Sequence, residues 1–169
     1  MYFSNERCEL LHVQKKIGKS TVRVCWLKLY ITPTIEDIPE LRSDFEKIID
    51  SKDSKLFLHC EHASSTPLSI PSVEMFKIIA EAFYENTDRI QKKLYGTIIQ
   101  TQKLDMVVKF CKDIFLGLYK PMKPFDIVEG SEPAVTFMMN ILHFQGVEIL
   151  DLFLLDKKDC PIASFSYPL

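Results

Sequence analysis

His59, Cys60, Glu61 and His62 are consecutive, and their types are those that bind a metal or supply a nucleophile. A metal needs ligands that converge on one point. The preceding run Leu56 to Cys60 is apolar and reads as a β-strand, whose side chains alternate faces. His59 and Glu61 then point one way and Cys60 and His62 the other, so a strand cannot bring both histidines to one ion. The remaining histidines, His12 and His143, are distant in sequence. The spacing predicts neither a metal site nor another cofactor. A His-Cys pair ending a strand also occurs in cysteine phosphatases, where an Arg follows after five residues and grips phosphate with two parallel hydrogen bonds. Here that position is Thr66, and no glycine loosens the loop. The expectation is a protein without a catalytic site.

Beyond His62 the chain is rich in hydroxyls: Ser64, Ser65, Thr66, Ser69 and Ser72. They lie between a strand and an amphipathic run, at the carboxyl end of a central strand, where open α/β sheets place their ligands. They are candidates for ligand binding or phosphorylation. The simpler role is capping, with Ser69 or Ser72 accepting a backbone N–H at the start of the next helix.

The surrounding elements follow from periodicity. Cys8 to Gln14 and Thr21 to Ile31 form a β-hairpin around Gly18, with Lys15, Lys16 and Lys19 protecting its tip. In the second strand Lys28 interrupts an apolar stretch and carries its head to solvent or to a carboxylate. Thr34 and Asp37 cap a helix whose inner face is Leu41, Phe45, Ile48 and Ile49. A second helix starts at Ser72 and turns Val73, Phe76, Ile79, Ala80 and Phe83 inward; its pattern blurs after Asn86. Leu94 to Gln100 is a strand. The strongest helical period runs through Leu104, Val107, Val108, Cys111, Ile114, Phe115 and Leu118. Phe125 to Val128 is a short strand, and a helix from Ser131 carries Val135, Met138, Met139 and Leu142 inward. The run Val147 to Leu155 reads as a further strand and pairs with the segment after Pro161. This order predicts an α/β fold: a mixed, mostly parallel sheet with helices packed against it, plus a C-terminal strand pair. Residues 1–146 form the domain, and residues 147–169 extend it.

With 169 residues, 47% hydrophobic and 26% charged, the chain has ordinary globular composition and can bury one core. A net charge of −2 supplies no field to attract nucleic acid, which is excluded as a partner. Cys8, Cys25, Cys60, Cys111 and Cys160 are odd in number and contain no CxxC pair, the usage of a reducing, cytoplasmic compartment. No segment approaches a membrane span, and no apolar leader follows Met1.

The order of hairpin, alternating helices and strands, then Phe125 to Val128 and Ser131 to Leu142, resembles the STAS domains of bacterial anti-anti-sigma factors. Their architecture is related to that of the lipid-carrying CRAL-TRIO domains. The likeness spans roughly residues 8–142. In STAS regulators the loop after the strand corresponding to Leu56–Cys60 carries Asp-Ser-Ser-Gly, and a serine there is phosphorylated to switch partner binding. This chain has Ser64-Ser65-Thr66 without the Asp or the Gly.

The tail places Ile149, Leu152, Phe153, Leu155, Phe165, Tyr167 and Leu169 beyond the last element of that fold. A strand apolar on both faces needs cover on both. These residues are candidates for contact with a protein partner or with a second copy of the chain. The expected function is therefore a non-enzymatic interaction module, regulatory or structural. The alternatives are a CRAL-TRIO-like carrier of a lipid or other apolar small molecule, and a Cys60-dependent phosphatase.

Overall fold

A computed structural model describes residues 2–17, 20–50, 55–65 and 69–144. Strand β1 (Phe3–Ser4) leads into the hairpin β2 (Cys8–Ile17) and β3 (Ser20–Leu29). A 3-10 turn (Ile35–Asp37) opens α1 (Ile38–Asp50), followed by β4 (Leu56–His62), α2 (Val73–Glu85) and α3 (Thr87–Lys93). The chain continues through β5 (Leu94–Thr101), α4 (Met106–Leu118), β6 (Phe125–Glu129) and α5 (Ser131–Phe144). The strands form one sheet in the order β1-β2-β3-β4-β5-β6. The pairs β1/β2 and β2/β3 are antiparallel, and β3 to β6 run parallel. This is the mixed, mostly parallel α/β sheet that the alternation of elements predicts. The expected C-terminal strand pair, with the rest of residues 145–169, lies outside the described residues.

Two apolar layers flank the sheet. On one face Cys8, Leu10, Cys25, Leu56, Leu58 and Leu94 meet Leu41, Ile48 and Ile49 of α1 and Ile90 of α3. On the other, Val13, Val24, Trp26, Phe57 and Ile98 meet Ala134, Met138, Ile141 and Leu142 of α5. Gly96 makes the second contact close: a Cβ there would stand 2.9 Å from the Pro124 carbonyl oxygen and 3.0 Å from Ile141 Cδ1. Gly130, with φ +80, turns β6 into α5 in a backbone region that other residues rarely adopt.

The sequence predicts the caps well. Thr34 and Asp37 form a reciprocal capping box, and the Ser72 hydroxyl accepts from Met75 N–H at 3.1 Å. Several inner faces differ in phase. In α2 the buried residues are Met75, Phe76 and Ala80, whereas Val73 in the first turn is exposed. In α5 they are Ala134, Met138, Ile141 and Leu142, and Met139 faces outward. The blurred stretch after Asn86 is α3, tied to α1 by Arg89, which pairs with Glu46 and Asp50. Arg42 of α1 bonds Glu46 and reaches Glu85 of α2, so these charges link three helices.

Candidate functional site

The carboxyl ends of β3 to β6 share one edge of the sheet. Register places Lys28 beside Glu61 and Glu61 beside Gln100; one row deeper, Trp26, His59 and Ile98 are neighbours. All six side chains share the α5 face because each pair of rows is two residues apart. A chain of hydrogen bonds crosses this face. Lys15 Nζ lies 2.9 Å from His59 Nδ1, and His59 Nε2 lies 3.1 Å from Gln100 Oε1. Gln100 Nε2 donates to Glu61 Oε1 at 3.3 Å, and Trp26 Nε1 donates to Glu61 Oε2 at 2.9 Å. One assignment satisfies every contact: Lys15 donates to Nδ1, His59 donates from Nε2, and Glu61 accepts twice. The Trp26 and His59 rings stack at 6.0 Å, while Lys15 Nζ and Lys28 Nζ lie 3.7 and 4.2 Å from the Trp26 ring centroid.

Burial sets the electrostatics. Lys15 and His59 have 0% exposure. Desolvation pulls the Lys15 ammonium down to about 7, with nearby Glu61 opposing. The same cause lowers His59 to about 3, because a charged ring would also present an N–H to the neighbouring ammonium. Lys15 therefore belongs to the sheet interior. The expectation that it guards the hairpin tip is overturned, because β2 runs on through Lys15 to Ile17 and turns the side chain under Trp26. Above the network a cleft of about 540 Å³ opens between Lys28, Tyr30, Glu61, Gln100, Gly130 and Ser131. Buried polar groups of this kind cost stability unless paired, and sequence gave no sign of them, since Lys15 and His59 are 44 positions apart.

The hydroxyl candidates separate. Ser69 and Ser72 line a second cleft of about 430 Å³ with Arg7, Thr32 and Thr34. There Ser69 donates to Thr32 Oγ1 at 2.9 Å while Ser72 caps α2. Ser64 and Ser65 stand at the end of β4, half-buried and exposed respectively, and neither lines that cleft. Thr66 lies outside the described residues, as do Ile149, Leu152, Phe153, Leu155, Phe165, Tyr167 and Leu169. Cys60 is half-buried on the α1 face, and desolvation pushes its thiol up to about 12. Cys8 is pushed up to about 11, and the Cys25 thiol is raised further, by the same cause. Among the described residues no group of three His, Cys, Asp or Glu side chains could hold a metal ion, and no helix is long and apolar enough to cross a membrane.

The other unusual surface is α4. It is capped by Asp105, whose carboxylate accepts from Val107 and Val108 N–H. Phe115 anchors it among Phe83, Tyr119 and Phe125, with ring centroids 5.5 to 6.0 Å away. Yet none of its residues is buried. Met106 is 86% exposed, Phe110 56% and Val107 41%. The sequence signal for this helix was its period, whose residues Val108, Cys111, Ile114, Phe115 and Leu118 are half-buried, whereas Met106 and Phe110 lie outside it. No protein-family model, curated protein or solved structure matches the chain.

Proposed function

We propose that the chain is a non-enzymatic protein-protein interaction module of STAS-like architecture and that α4 is its docking surface. One observation carries this reading: α4 half-buries its apolar stripe against the fold and still presents Met106, Val107 and Phe110 to solvent. Clustered large apolar side chains on a folded surface mark contact sites, and aromatic and Met residues are enriched at the centres of interfaces. The Cys60 thiol adds support to the non-enzymatic side, since a group held near 12 furnishes almost no thiolate at neutral pH. A helix docked through a stripe of apolar residues is a recurrent recognition mode.

A photo-reactive side chain at Met106 tests this. In extract of the source cells the probe forms adducts of discrete mass, and Phe110→Asp suppresses them. The same probe at Ser43, exposed on α1, forms none. If position 106 yields no more adduct than position 43, including adduct with another copy of the chain, α4 is not a docking surface.

A further inference from the structure

Resting on that reading of α4, we infer that its partner is a second copy of the chain, with the two α4 helices packed antiparallel about a twofold axis. The exposed line of α4 is Met106, Phe110, Asp113 and Gly117, at spacings of four, three and four, with Lys109 beside it. This line is lopsided. Its first half carries the bulky Met106 and Phe110, and its second half ends at Gly117, where an added Cβ would meet nothing within 4 Å. Antiparallel packing lays the bulky half of each helix over the open half of the other.

Charge favours the same arrangement. Lys109 and Asp113 are both exposed, one turn apart, near the middle of the helix. In an antiparallel pair Lys109 of each copy faces Asp113 of its partner, which gives two reciprocal ion pairs. A parallel pair sets Lys against Lys and Asp against Asp. Self-complementarity under a twofold is the requirement of an isologous interface, and α4 meets it in shape and in charge. A helix of 13 residues is about 20 Å long, so the contact lies at the small end of protein interfaces. Its dissociation constant is then on the order of 10 to 100 µM.

Sedimentation equilibrium on the full chain, from about ten-fold below to ten-fold above that range, tests the inference. The average mass should rise from 19.6 kDa toward twice that value. Lys109→Asp and Asp113→Lys should each weaken association about ten-fold, because each homodimer then holds two like-charge contacts. An equimolar mixture of the two variants should recover it, because their heterodimer again contains two opposite pairs. Phe110→Asp should leave a monomer. These are surface positions, so each variant keeps its fold. Three results overturn the inference: a wild type that stays monomeric throughout, a mixture that recovers nothing, or a dimer indifferent to all three substitutions. A monomer in isolation whose Met106 probe still forms adducts with another protein removes the second copy and leaves the docking surface standing.

Discussion

Replacing Lys15 by Met should change the pH dependence of stability in a defined window. Lysine in an unfolded chain titrates near 10.5, and in the folded protein Lys15 titrates near 7. Between these values the unfolded state holds a proton that the native state has released. Stability then rises with pH by about 1.4 kcal/mol per unit for one proton. The penalty of burying the charge is complete below pH 7 and fades toward 10.5. Integrated from pH 7 to 9, the wild type should gain about 2 kcal/mol on the Met variant. The raised cysteines work in the opposite direction as pH climbs past 9, but they are common to both proteins and cancel in the difference. Methionine fills much the same space, and His59 keeps its bond to Gln100. Urea unfolding followed by Trp26 fluorescence at pH 7, 8 and 9 supplies the free energies. Two curves that run parallel across this window would refute the buried ammonium and the network built on it. On the acid side His59, lowered to about 3, makes the wild type lose stability as pH falls from 6.5 toward 3, because there the unfolded imidazole takes a proton that the native ring refuses.

Gly96→Ala should destabilise the fold by about 1 to 3 kcal/mol, since the new Cβ must displace either Ile141 or the Pro124 backbone; an unchanged thermal midpoint would mean that α5 does not press on β5. Ser72→Ala should cost about 1 kcal/mol through loss of the α2 cap, and Ser72→Gly less, with thermal unfolding as the measure. Alkylation at pH 8 should modify Cys60 on the order of a thousand-fold more slowly than a free thiol of pKa 9. Peptide mapping that finds Cys60 among the first sites modified would contradict its burial.

Local chemistry was legible in the sequence wherever the deciding contacts are local. Thr34 and Asp37 are three residues apart, and so are Ser72 and Met75, so the caps could be read directly. The longer strands follow from apolar runs punctuated by Pro, Gly and short polar turns, whereas the two-residue β1 and the lateral order of the strands do not. What required the third dimension was assembled from distant positions. Lys15 in a basic run before Gly18 looks like a solvated turn, and nothing within ten residues hints that it lies beneath Trp26. The same holds for Glu61, whose two partners, Trp26 and Gln100, come from the strands on either side. Helix α3 was missed because its seven residues bury only Ile90, too little to build a period.

The helices show why periodicity and burial are separate quantities. A period near 3.6 states that one face is apolar. Which residues of that face become dry depends on the layer laid against it. In α2 the face rotates toward Met75 because α2 meets α3 and α4, and Val73 falls outside. In α5 the close approach at Gly96 draws Ile141 down and leaves Met139 at the surface. Helix α4 is the limiting case. Its apolar stripe, with Val108, Cys111, Ile114, Phe115 and Leu118, is half-buried against the fold with no residue dry, while Met106 and Phe110 lie off that stripe in solvent. Apolar side chains left in water in this way cost free energy at roughly 25 cal/mol per Å². Among the described residues nothing buries Met106 or Phe110, and the exposed Lys109 and Asp113, one turn apart, make a second copy of the same helix the first cover to test.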